Sequence, residues 1–173
     1  MEMAVEASDP DLIRSGDTPA LVRRHYGPVY GLVRRFLRNE ADARDAAQET
    51  FTRAISHLRD FDSRKSFRAW LFAIAANHVR DLLRRRRQLP LDPEVQEQVP
   101  DLTLPDEPLL HREDRDRILA AVDRLPFDLK LVVTLHYQRD LSSPEIADSL
   151  DVSTNTVRLR LYRALAVLRK ELR

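Results

Sequence analysis

“LSSPEIADSLDVSTNTVRLRLYRALAVLRKEL”, residues 141–172, carries helix start and stop signals in working order. Ser142 and Glu145 have the S-x-x-E spacing of a capping box, and Pro144 falls in the first turn, where a missing N–H costs little. Ile146, Ala147 and Leu150 give a short apolar stripe. Asp151 sits where the chain must turn, a position at which Asp tolerates a left-handed backbone. Ser153 or Thr154 then caps a longer helix whose apolar stripe is Val157, Leu161, Ala164, Leu165 and Leu168. A short helix, a tight turn and a longer helix make a helix-turn-helix.

The face opposite that stripe carries Asn155, Thr156, Leu159, Tyr162 and Arg163, flanked by Arg158 and Arg160. Arg and Asn read base edges bidentately, and Thr154 or Thr156 at a helix N-terminus suits a phosphate. An arginine-rich helix alone is more often a solvated surface; the complete turn signature tips the reading towards DNA. Leu159 either touches a thymine methyl or meets a protein neighbour.

Upstream, the charge is divided. The net charge of +1 sums a basic segment 1–87 (+5), an acidic segment 88–108 (−6) and a weakly basic segment 109–173 (+2). The acidic segment, “QLPLDPEVQEQVPDLTLPDEP”, holds five of the ten prolines and no basic residue. Such a composition opposes helix and favours an extended linker. The expected organisation is a tail at 1–17, a helical domain at 18–87, the linker at 88–108 and a second helical domain at 109–173. The expected fold class is therefore all-α, two small helical domains on a flexible acidic tether. With no cysteine, disulfides and thiolate metal sites are excluded. No signal-peptide pattern or membrane-spanning apolar run is present, so a cytoplasmic chain is expected.

The first domain reads as three main helices. One covers roughly 18–38 and either bends or splits at Gly27-Pro28. The next starts near Asn39, a good N-cap, and runs to about Leu58. The third starts near Ser66 and runs into Arg84–Arg87. Its apolar circumference is wide, so it should be central, with Trp70 more plausible as core than as a stacking platform. Arg80 and Arg84 fall on its open side, with Asn77 at the margin. The loop before it, Phe61, Asp62, Ser63, Arg64 and Lys65, mixes an aromatic with polar and basic groups. That mixture suits a splayed-out base but also an ordinary surface loop.

“DARDAAQETFTRAI”, residues 42–55, runs against the basic trend. Asp42, Asp45 and Glu49 cluster within about 60° on one helix face, with Gln48 at the edge. Phosphate would repel this face, which leaves solvation or a basic protein partner.

Taken together, the segments resemble the extracytoplasmic-function class of bacterial sigma factors from about residue 20 to 172. “ADARDAAQETFTRA” is similar to region 2.2, and “FRAWLFAIAANHVRDLLRR” to regions 2.3–2.4. “LPFDLKLVVTLHY…SSPEIADSLDVSTNTVRLRLYRAL” is similar to region 4. The resemblance implies that Asp42, Asp45, Gln48 and Glu49 dock on the β′ clamp coiled coil of core RNA polymerase. The second domain would meet the β flap. It implies that the 59–66 loop captures a flipped base of the −10 element, bordered by Asn77, with Arg80 and Arg84 on the nearby backbone. Region 4 would read the −35 element through Arg158, Arg160, Tyr162 and Arg163, with Thr154, Asn155, Thr156 and Leu159 on the same surface. The linker would thread near the RNA exit path, and a separate anti-sigma protein would regulate the factor. Two departures bear on sequence preference. Asn155 and Leu159 replace residues frequent in the family's region 4, and the loop lacks a common Gly-Asp pair.

The nearest rival is a polymerase-independent helix-turn-helix repressor, which would not need Asp45, Gln48 or Glu49. An adaptor that binds polymerase without reading DNA is a second. An enzyme is disfavoured: His25, His57, His78, His111 and His136 show no metal-binding spacing, and three glycines form no phosphate loop. No catalytic residue, metal or cofactor is expected.

Overall fold

The computed structural model describes residues 7–86 and 112–172, which are helical and contain no strand. The chain forms two compact units, Met1–Arg86 and Arg87–Arg173. The expected linker at 88–108 lies outside the described residues.

The first unit holds α1 (Asp9–Ser15), α2 (Thr18–Arg34), α3 (Glu40–Ser56) and α4 (Phe67–Arg85). α2, α3 and α4 pack against one another. Their shared core combines Val29, Leu32 and Val33 of α2 with Leu71, Phe72 and Val79 of α4, none more than 1% exposed. α3 contributes alanines instead. Ala43, Ala46, Ala47 and Ala54 are buried, and small side chains let its axis approach the neighbouring helices closely. Thr50 is fully buried on the same face, its hydroxyl donating to the Ala46 carbonyl at 2.7 Å. The outer face of α3 is thereby left for polar residues.

Of the two alternatives at Gly27-Pro28, a bend or a split, the split does not occur: α2 runs as one helix to Arg34 with Pro28 inside, and it stops short of the expected residue 38. Pro28 forfeits one backbone hydrogen bond. Burial of Leu21 and His25 before it, and of Val29, Leu32 and Val33 after it, keeps both halves on the same core. At the end of the helix Arg34 folds back and donates to the carbonyls of Leu37 and Arg38, at 2.7 and 3.0 Å.

The segment expected as a tail contains α1. Ser8 caps it through a capping box with Asp11, and Gly16, at φ 73°, ends it in a left-handed turn that favours glycine. Leu12 is buried, and Asp9 ties the helix to α2 through Arg24 and His25.

The second unit holds α5 (Arg112–Arg124), α6 (Phe127–Val133), a π-helical turn over Thr134–Gln138, α7 (Ser143–Leu150) and α8 (Thr154–Glu171). α6 and α7 both pack on α8. Leu131, Val132, Leu135, Ile146, Val157, Leu161 and Ala164 are all fully buried. The capping box of Ser142 and Glu145 is present, and Asp151 adopts the left-handed conformation at φ 54° and ψ 47°. Ser153, not Thr154, caps α8, accepting from the Thr156 N–H at 3.0 Å. Leu150 and Leu165, expected in the apolar stripes, are only half-buried.

Candidate protein and nucleic-acid interfaces

The acidic face of α3 forms as expected, but its members differ in how committed they are. Asp42 pairs with Arg86, just past the end of α4, at 2.6 Å, and this hydrogen bond holds its carboxyl below the usual range. Glu49 pairs with Arg53 one turn on, at 2.7 Å, with the same effect on its titration. Asp45 and Gln48 are exposed, and neither side chain has an ion-pair or hydrogen-bond partner among the described residues. Ile55, 44% exposed, lies two turns beyond Gln48 on the same side. Ile55 is not among the residues the sequence singles out on this helix. Behind Glu49, His78 of α4 is half-buried with its Nδ1 unpartnered. Burial, reinforced by Arg53, lowers its pKa.

The 59–66 loop is ordered by its own side chains. Asp62 accepts the Arg64 N–H at 3.0 Å and grips the Arg64 guanidinium, with contacts of 2.8 to 3.2 Å. These bonds from Arg64 lower the Asp62 pKa to about 2. A depressed carboxyl contributes its tie above its unfolded pKa and loses it as pH falls through the folded value. The Asp62 carboxyl carbon, followed by NMR, should therefore titrate with a midpoint near 2; a midpoint near the ordinary aspartate value of about 3.9 would show that the pair does not form in solution.

Phe61 leaves the loop towards the protein. Its ring lies 4.9 Å from Trp70 and 5.5 Å from Phe67, with Phe67 and Trp70 themselves 5.7 Å apart. Phe67 is buried whereas Trp70 is half-buried, so Trp70 stands at the rim of the core rather than inside it. Helical spacing continues that rim through Ile74, Asn77, Asp81 and Arg84. Asn77 is exposed, its Oδ1 accepting from Arg80 at 3.2 Å. Arg84 is exposed and Arg80 half-buried. Ser63, Arg64 and Lys65 are exposed at the loop.

On α8 the expected face sorts into a centre and a flank. Asn155, Arg158 and Tyr162 are exposed, with Leu159 half-buried between them. These four occupy one column at i, i+3, i+4 and i+7 spacing. Thr156 is half-buried, its hydroxyl 2.9 Å from that of Ser153. Thr154 and Arg163 are also half-buried. Arg160 is turned towards α6, 3.9 Å from Asp128 with only 26% of its side chain exposed. Its partner is 32 residues away in sequence, which no local reading detects. Among the described residues no cluster of three potential metal ligands occurs.

Known proteins give independent matches. The family description Sigma-70 region 2 matches residues 21–88, and Sigma-70, region 4, matches residues 115–168. The extracytoplasmic-function RNA polymerase sigma factor SigW of Bacillus subtilis is 32% identical over 174 residues, covering 93% of each chain. RNA polymerase sigma factor NccH of Alcaligenes xylosoxydans is 36% identical over 154 residues, covering 86% of this chain and 82% of NccH. Among solved structures, CnrH in complex with the cytosolic domain of CnrY superposes with a TM-score of 0.66 at 30% identity. That match covers 93% of this chain and 92% of CnrH.

Proposed function

The chain belongs to the extracytoplasmic-function class of sigma-70 factors, and from that membership we propose how its surfaces divide the work of transcription initiation. α3 docks on the β′ clamp coiled coil of core RNA polymerase through Asp45 and Gln48, with Ile55 adding apolar contact and Asp42 and Glu49 completing the face. The 59–66 loop and the Trp70–Arg84 rim engage the −10 element as it opens. The column Asn155, Arg158, Leu159 and Tyr162 enters the major groove at −35, while the second unit meets the β flap. The protein performs no chemistry of its own; polymerase makes the bonds and this chain selects where. The factor works in the cytoplasm, and no helix among the described residues is long and apolar enough to cross a membrane.

The observation that carries this assignment is the separation of chemistry within the first unit. Unpartnered acidic and amide groups beside an exposed isoleucine occupy α3, while aromatic and cationic groups occupy the loop and the rim of α4. One face would be repelled by phosphate, and the other suits it. A repressor has no use for the first face. The structural relative CnrH is seen in complex with the cytosolic domain of CnrY, and a separate anti-sigma protein is proposed to bind this chain.

The test is reconstitution of the chain with purified core polymerase, followed by run-off transcription on a promoter library. The expected result is a stable complex that starts transcripts at a defined subset of promoters. Specific binding to duplex DNA by the chain alone, without assembly on core, would instead establish the repressor.

A further inference from the structure

α1 lies outside the residues matched to Sigma-70 region 2, which begin at 21, yet it is firmly anchored. Asp9 accepts from Arg24 Nη1 at 2.8 Å and meets His25 Nε2 at 2.9 Å, and Arg24 also donates to the Ala7 carbonyl. Burial works to raise the Asp9 carboxyl, but the bonds from Arg24 and His25 outweigh it and hold the group below its ordinary value. His25 is itself buried, 5% exposed. Its ring meets Phe67 edge-on at 5.4 Å, and Phe67 in turn meets Phe61 of the loop at 5.5 Å. A continuous run of contacts therefore links Asp9 of α1 to the aromatic residue of the 59–66 loop.

Between α1 and that loop lies a cleft of about 270 Å³. Pockets for drug-sized ligands run from about 300 to 1,000 Å³, so this one suits a single ring system. Its apolar lining comes from both sides: Pro10 and Ile13 from α1, Phe61 from the loop. Ser63 and Lys65 add a hydroxyl and a cation to the lining, and Asp9 adds a carboxylate already engaged by Arg24 and His25. An unpaired nucleobase presents the complementary set, with apolar faces, a hydrogen-bonding edge and an attached phosphate.

We infer that α1 is a second wall of the site for the unpaired −10 base, and that Pro10 and Ile13 help determine which base it accepts. The inference rests on the proposed base capture by the loop. It adds a specificity determinant from a helix outside the matched region. Ile13 is half-buried while Leu12 anchors the helix, so Ile13→Ala shortens the wall without removing α1 from its seat. Alanine also favours helix.

The experiment uses holoenzyme reconstituted from core polymerase and the full chain. The probe is a short fluorescent single strand copied from the nontemplate −10 segment of a promoter that the holoenzyme transcribes. Binding is measured for wild type, Ile13→Ala, Pro10→Ala and Phe61→Ala, on the intact strand and on strands made abasic at one position at a time. Ile13→Ala is expected to weaken the intact strand roughly five-fold, the scale of partly exposing one aliphatic side chain. The loss should disappear at a single abasic position, the same one that abolishes the effect of Phe61→Ala. Pro10→Ala should couple to that position more weakly.

A loss of equal size on every abasic strand would make α1 a support for the fold and overturn the inference. Wild-type binding by Ile13→Ala beside a loss for Phe61→Ala would also overturn it, while leaving base capture by the loop intact. Wild-type binding by both variants would overturn base capture as well.

Discussion

Asp45→Arg is expected to abolish assembly with core polymerase, weakening it at least about 100-fold, while the protein keeps its wild-type melting temperature. A hundred-fold loss corresponds to about 3 kcal/mol, within the range of interface hot spots. The fold should be indifferent because Asp45 is exposed on α3, opposite the buried alanines. It has no intramolecular partner to lose among the described residues, and Arg is as compatible with a helix as Asp or more so. Inverting the charge in the centre of the face leaves a basic partner facing a cation, which costs more than deleting a contact. Pull-down and titration of labelled variants against core polymerase measure the effect, with circular dichroism as the check on folding. A variant that assembles with wild-type affinity would remove α3 from the polymerase interface.

The structure selects Asp45 over its neighbours as the cleaner probe. Reversing Asp42 also breaks its tie to Arg86, and reversing Glu49 releases Arg53. Either change mixes an intramolecular loss with an intermolecular one. In the proposed docking, the polymerase would compete with arginines already in place for two of the four groups, so Asp45 and Gln48 are expected to contribute more than the uniform stripe in the sequence suggests.

The features legible in the sequence were those whose causes are local. The Ser142–Glu145 capping box, the left-handed Asp151 and the Asn39 and Ser66 caps all act within four residues. The periodicity of α8 was equally legible, since its stripe and its outward column follow from 3.6 residues per turn. What was illegible depended on distant partners. α1 has one turn of apolar signal, Leu12 and Ile13, and owes its position to Asp9 meeting His25 16 residues on. Pro28 leaves a bend and a split both open until the burial of α2 on both sides of it is known. The same holds for the α8 arginines, which are alike in sequence until Asp128 approaches one of them.

That distinction makes the second large effect specific. Arg158→Ala should weaken binding of the holoenzyme to its −35 element by about 1–3 kcal/mol, the value of a side chain that reads a base. The loss should be concentrated at one base pair of the element. Arg158 is exposed in the centre of the α8 column, where a guanidinium reaches N7 and O6 of guanine in the major groove. Arg160→Ala should cost less, since Arg160 leans on Asp128 with about a quarter of its side chain exposed. Binding measured across a library of single −35 substitutions, at two salt concentrations, separates the possible roles. If Arg158→Ala lowers affinity equally for every substituted site and reduces the salt slope by about 1, Arg158 is a phosphate contact. Base choice at −35 would then have to come from Asn155 and the half-buried Leu159. A larger loss for Arg160→Ala than for Arg158→Ala would mean that α8 presents its flank, not its exposed column, to the groove.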